Sequence, residues 1–154
     1  MATSLMYEGP CSVQERPAKM ENKLVNTFTP HEAWEFQKAN SKAILVDVRS
    51  CVEFLFVGHS VGAINIAWRD DPDWEINPNF VADVLSRAQG RQDIAVLLIC
   101  RSGHRSMEAG LALCEAGFTQ VYNIAEGFEG DLDGQNHRST LGGWRFLGLP
   151  WEQC

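Results

Sequence analysis

No stretch of this 154-residue chain is a candidate membrane span. The longest apolar run, residues 94–100, has the length of a strand, far short of the roughly 18 residues a span needs. The amino-terminal residues lack the charged start and apolar core of a secretory signal. Positive charge is scarce: 13 Lys and Arg face 20 Asp and Glu, giving a net charge of −7 and a pI near 5.0. That balance argues against nucleic acid as a main partner, because phosphate binding needs clustered Lys and Arg. It leaves room for one small basic pocket. Cysteine is sparse and irregularly spaced. The five residues Cys11, Cys51, Cys100, Cys114 and Cys154 form no Cys-x-x-Cys pair, so neither a disulfide framework nor a structural zinc site is expected. Reduced thiols in a cytoplasmic protein are the expectation. No internal repeat is present. The 45% hydrophobic and 21% charged content is that of a folded globule of one domain.

The organisation follows from periodicity and punctuation. Residues 1–26 are polar, carry Pro10 and Pro17, and read as an extension; the domain is expected over 27–154. Thr29-Pro30-His31-Glu32 is a capping box with proline at the first helical position, which predicts a helix to about Ala39. Residues 43–48 are apolar on both alternating faces, as in a strand inside a parallel sheet. A short helix is expected over 51–57, a strand over 63–66, an acidic, proline-bearing loop over 68–78, and a helix over 79–88. Residues 94–99 form the clearest buried strand. A helix over 105–116 follows, stopped at Gly117, and a strand over 120–124 comes last. Strands alternate with helices, so the class is α/β with a mainly parallel sheet.

The chemistry concentrates in Cys100-Arg101-Ser102-Gly103-His104-Arg105-Ser106, between the best strand and a helix. Ligand sites in open parallel sheets lie beyond the carboxyl ends of strands. The first amides of the helix lack partners within it, and its dipole adds partial positive charge there. A thiolate at that place is stabilised. Gly103 admits a backbone conformation closed to other residues, so amides can ring the sulfur, and Arg101 and Arg105 add permanent charge. Cys100 therefore reads as a nucleophile rather than a small core residue, since polar, glycine and charged residues follow it at once.

Taken with Asp47-Val48-Arg49, Glu53-Phe54, Gly58-His59, Gly62-Ala63-Ile64-Asn65 and the tail Gly148-Leu149-Pro150-Trp151, this loop resembles the rhodanese family of sulfurtransferases. The resemblance implies a rhodanese-like, five-stranded parallel sheet flanked by helices on both faces, and a Cys100 that carries sulfur as a persulfide. A small sulfur-containing anion or a persulfide would be the donor. A thiol, cyanide or a protein thiol would be the acceptor, with no cofactor. Related phosphatase domains have five residues between cysteine and arginine, whereas four separate Cys100 from Arg105; the resemblance thus favours sulfur transfer over phosphatase or arsenate reductase chemistry. Tandem-domain enzymes acting on thiosulfate carry lysine where this chain has Ser102, so thiosulfate need not be the donor. A carrier that delivers persulfide to a partner enzyme is the alternative of a different class.

Weaker signals have two readings each. His104 is a proton donor or substrate contact, or a residue that starts the helix. Asp47, Arg49 and Glu53 are active-site groups or, as favoured, an ion-paired scaffold at the sheet end, with His59 structural beside them. Cys51 is an ordinary helix residue rather than a resolving thiol, and Cys114 reads as core. Asp131-Leu132-Asp133-Gly134 has a calcium-loop flavour but fails the ligand spacing. The segment at about 130–142 is an insertion that shapes a pocket rim or is plain solvated loop. Trp68 and Trp74 flank the acidic run Asp70, Asp71, Asp73 and Glu75 as packing or as a docking surface.

Overall fold

The computed structural model describes residues 24–154; the expected extension over 1–26 lies almost wholly outside the described residues. In chain order the elements are β1 (Asn26–Phe28), α1 (Pro30–Ala39), β2 (Ile44–Asp47), a π-helical turn (Glu53–Val57), β3 (His59–Ser60), β4 (Ala63–Asn65), α2 (Phe80–Arg87), β5 (Val96–Ile99), α3 (His104–Glu115), β6 (Val121–Ile124) and β7 (Trp151–Glu152). The five-stranded sheet has the order β1-β6-β5-β2-β4, with every neighbouring pair parallel. The pair β3–β7 is a separate antiparallel ribbon.

The capping box at the start of α1 forms in full. The Thr29 hydroxyl accepts from the Glu32 amide at 3.2 Å, and the Glu32 carboxylate accepts from the Thr29 amide at 3.3 Å. Strand β5 is central and buried on both faces, and its side chains alternate between two cores. Val96 and Leu98 pack with Phe80, Val84, Ala109 and Leu113 from α2 and α3. Leu97 and Ile99 pack on the opposite face with Ala33 of α1, Phe128 and Trp144. A period of two on a strand with both faces covered produces this division. Cys100 continues the alternation onto the α2 and α3 face.

Three short strands, β1, β3 and β7, have no counterpart in the sequence reading. Strand β1 pairs with β6 from Asn26↔Tyr122 to Phe28↔Ile124. It is a short edge strand, exposed at Asn26 and Thr27 and packed only through Phe28, with no apolar periodicity to reveal it. The helix expected over 51–57 forms, with π-helical geometry over Glu53–Val57, and its carbonyls are held from outside. His59 Nδ1 lies 2.8 Å from the Phe54 carbonyl, Gln153 Nε2 donates to Phe56 at 3.0 Å, and Arg145 Nη1 donates to Val57 at 3.2 Å. External donors supply what the tighter α ladder would otherwise provide. The glycine-rich tail thus has a definite job, since Trp144 is buried, its indole N–H donates to the Pro150 carbonyl at 2.9 Å, and β7 clips onto β3.

A strap over residues 127–129 fixes the end of β5. The Phe128 amide donates to the Cys100 carbonyl at 2.8 Å and the Glu129 amide to the Arg101 carbonyl at 3.0 Å. Gly127 has φ +63, and a Cβ there would sit 2.5 Å from the Cys100 oxygen and 2.6 Å from the Arg101 carbonyl carbon. Both obstacles are backbone and cannot swing aside. Gly127→Ala is expected to destabilise the protein by about 3 kcal/mol, from overpacking and a left-handed backbone together; the urea midpoint measures it, and an unchanged midpoint contradicts the account.

Candidate active site

Cys100 is the first residue past β5, and its side chain is 1% exposed. It forms the floor of a cavity of about 270 Å³ lined by Glu53, Trp74, Arg101, Ser102, His104 and Arg105. Gly103 caps α3 with φ +106, and its amide donates to Cys100 Sγ at 3.1 Å. The Ser106 hydroxyl lies 3.1 Å from the same sulfur. The carbonyls of the loop are tied elsewhere: Cys100 and Arg101 to the strap, and Gly103 to Asn123 Nδ2 at 3.2 Å. In a trans peptide the carbonyl and the following N–H point oppositely. The amides of Arg101, Ser102 and His104 are therefore turned away from those partners. The expected ring of amides is realised at the sulfur by one member, Gly103.

Asn123 is a site residue that sequence reading missed. It is 5% exposed on β6, donates to the Gly103 carbonyl, and accepts from the Ser106 hydroxyl at 2.5 Å. Both groups that touch the sulfur are thus set by one side chain. The signal was available: a buried amide in the apolar strand Val121–Ile124, at the carboxyl end of the sheet.

The charged residues separate into two pairs. Asp47 and Arg49 are both fully buried, with Arg49 Nη2 2.6 Å from Asp47 Oδ2 and 2.6 Å from the Gly58 carbonyl. The Arg49 guanidinium also lies 4.6 Å from the Phe128 ring centroid. Neither residue lines the cavity. Glu53 does, gripping Arg105 with contacts of 2.7 and 2.9 Å while accepting from the Ser50 hydroxyl at 3.1 Å. Burial pushes the Glu53 carboxyl up, but the hydrogen bonds and charge of Arg105, with the Ser50 amide and Arg49, outweigh it and hold the group below its ordinary value. Burial likewise opposes the charge on Arg105, and Glu53, Cys100 and Asp47 more than restore it. Arg101 lines the cavity exposed and makes no ion pair among the described residues.

The remaining candidates fall around this centre. Ser102 Oγ lies 3.4 Å from His104 Nδ1 at the mouth. His59 stacks on Phe54 at 3.8 Å and reaches Glu152 at 3.3 Å, linking the π-helical turn to β7. Cys51 and Cys154 are exposed and Cys114 is buried; Cys11 lies outside the described residues. No residue of 130–142 lines the cavity. Asp133 instead organises that loop, accepting from the Gln135 and His137 amides at 2.8 and 2.9 Å and from Thr140 at 2.7 Å. The rim belongs to 68–78, through Trp74. A larger cleft of about 680 Å³ lies along that same segment, with Asp70, Asp71, Asp73, Glu75 and Asp83 in its walls, and holds no cysteine or histidine. Among the described residues no helix is long and apolar enough to cross a membrane.

Comparison with known proteins agrees with this geometry. Residues 29–132 match the model of the rhodanese-like domain. The crystal structure of Rv0390 from M. tuberculosis superposes with a TM-score of 0.73 at 39% identity, covering 85% of this chain and 99% of that one. An uncharacterised protein of Rickettsia prowazekii is 31% identical over 131 residues, 84% of this chain and 98% of the relative. The thiosulfate sulfurtransferase GlpE of Glaesserella parasuis is 31% identical over 103 residues, 67% of this chain and 82% of the relative. On its fold, its loop and these relatives together, the chain belongs to the rhodanese-like family.

Proposed function

We propose that this protein is a sulfurtransferase that carries a sulfane sulfur on Cys100. The observation that carries the reading is the set of loop carbonyls bonded away from the cavity above a sulfur that accepts the Gly103 amide at 3.1 Å. Such an arrangement suits a second, negatively charged sulfur sitting on the first.

The cycle is a double displacement. The Cys100 thiolate attacks the outer sulfur of the donor. With thiosulfate, the donor S–S bond breaks, its electron pair leaves with sulfite, and Cys100 becomes a persulfide anion. An acceptor nucleophile, either cyanide or a thiolate, then attacks the outer sulfur, and the new S–S bond breaks to return the Cys100 thiolate. Charge and atoms balance in each half, and no redox partner takes part. Arg101 supplies the cavity's unpaired cation for an anionic donor. Arg105, shared with Glu53, offsets charge on the leaving group. Ser102 and His104 complete the wall, and Ser106, buried behind it, meets the Cys100 sulfur. Asp47, Arg49 and His59 hold the surrounding backbone without reaching the cavity. The reading places the protein among sulfur-handling enzymes that work without cofactor. The partner-delivery alternative shares every residue and differs only in which acceptor discharges Cys100.

Two expected outcomes test this reading. Incubation with thiosulfate, polysulfide or glutathione persulfide is expected to add one sulfur atom to the intact mass of the wild type and none to Cys100→Ser. Loading by none of the three donors contradicts the transferase reading. Glu53→Gln releases Arg105 from its carboxylate, so loading by thiosulfate is expected to become severalfold faster at low ionic strength, with the gain fading as salt rises. The same variant bears on pH. Because the folded carboxyl of Glu53 lies below its ordinary value of about 4.5, its stabilisation is complete above that value and is lost as pH falls through the lower folded one. Wild type is therefore expected to unfold at higher urea than Glu53→Gln at pH 7, and the difference to shrink as pH falls below the ordinary carboxylate value.

A further inference from the structure

Trp74 is the least economical residue in the fold. The residue is 42% exposed, and its backbone has φ +58, a left-handed conformation that bulky residues avoid. The segment around it is arranged to keep it so. The Trp74 amide donates to the Asp70 carbonyl at 3.0 Å, Arg69 Nη1 donates to the Trp74 carbonyl at 2.9 Å, and Arg69 bridges to Ile76. The Asp70 carboxylate in turn accepts the Cys51 amide at 3.3 Å, at the approach to the turn that carries Glu53. The result is an indole facing into the Cys100 cavity, 5.3 Å from the Arg105 guanidinium. A strained backbone that holds an exposed aromatic ring at the mouth of a reactive cavity marks a surface for ligand.

The cavity then offers three successive surfaces. At its floor are the sulfur and the amide cradle. Midway lies the Glu53–Arg105 pair, whose charges cancel. At the mouth is an apolar ring face. One cation without an ion-pair partner among the described residues, Arg101, lines the same space. Charges arranged in this way favour a donor with one negative charge and a carbon-bearing tail over a small dianion with neither an apolar part nor a second cation to meet it.

Resting on the transferase reading, we propose that Trp74 is the specificity-determining residue of this site, and that it selects organic persulfides as donors by packing their carbon chain against its ring. The Cys100 thiolate attacks the outer sulfur of R–S–SH. The donor S–S bond breaks and its electron pair leaves on R–S⁻ beside Arg105. The proton of the outer sulfur passes to that leaving thiolate, giving a Cys100 persulfide anion and R–SH. Trp74 holds the carbon next to the leaving sulfur, which aligns the S–S bond with the thiolate.

The test compares glutathione persulfide with thiosulfate as donor, with cyanide as common acceptor. Trp74→Gly removes the ring and suits the left-handed backbone, so the protein is expected to melt no lower than wild type. Its KM for glutathione persulfide is expected to rise about tenfold with kcat little changed, while kcat/KM for thiosulfate falls severalfold less than that for the persulfide. Trp74→Phe is expected to restore most of the persulfide KM. Should Trp74→Gly fail to fold, Trp74→Asn, also tolerant of this backbone, replaces it. Equal losses with both donors, or an unchanged persulfide KM, overturn the proposal while leaving the transferase reading intact. A wild type loaded by neither donor overturns both.

Discussion

Two backbone hydrogen bonds, from Phe128 and Glu129 to the carbonyls of Cys100 and Arg101, are the constraint on which the site depends. A loop that crosses from a strand into a helix has no ladder to orient its peptides. Left to itself, it would present carbonyls and amides indiscriminately, and a carbonyl dipole facing the sulfur would repel negative charge. By holding the carbonyls on the far side, the strap turns the amides outward without spending a side chain. Only a glycine at 127 lets the strap approach so closely. The sequence feature that looks like mere looseness, a glycine-rich stretch after the last sheet strand, is therefore a brace behind the sulfur loop.

Behind the sulfur, the polar network has a fixed proton count. Asn123 donates to the Gly103 carbonyl, which leaves its oxygen to face Ser106. Ser106 has one proton, and giving it to Asn123 leaves its oxygen free to accept from the Cys100 thiol. A thiolate has no proton to give, so Ser106 must turn its own toward the sulfur and leave Asn123 unmet. A small buried network thus responds to whether that sulfur carries a proton.

Much of this was legible beforehand, for identifiable reasons. The start of α1 could be read to the residue because Thr29, Pro30 and Glu32 act locally. Strand β5 was readable because a strand covered on both faces must be apolar throughout. The position of Cys100 followed from the ends of those elements. What escaped depends on distant pairing. Strand β1 owes its existence to β6, almost a hundred residues on. The π-helical turn owes its shape to donors from the tail. The grip of Glu53 on Arg105 joins residues 52 positions apart, so neither side chain announces the other. Trp74 looked like part of an acidic loop because nothing local says which way its ring faces.

The clasp between the tail and the π-helical turn has a consequence for the order in which the site is assembled. Gln153 reaches Phe56 across a sequence separation of 97 residues, whereas the strap that shapes the sulfur loop spans fewer than thirty. Closing the longer span costs more chain entropy. The turn bearing Glu53 is also less deeply packed than the core strand behind Cys100. In a transient opening the clasp releases first. Arg105 then loses its carboxylate while the cradle around the sulfur persists, and the cavity becomes, for that interval, a more cationic one.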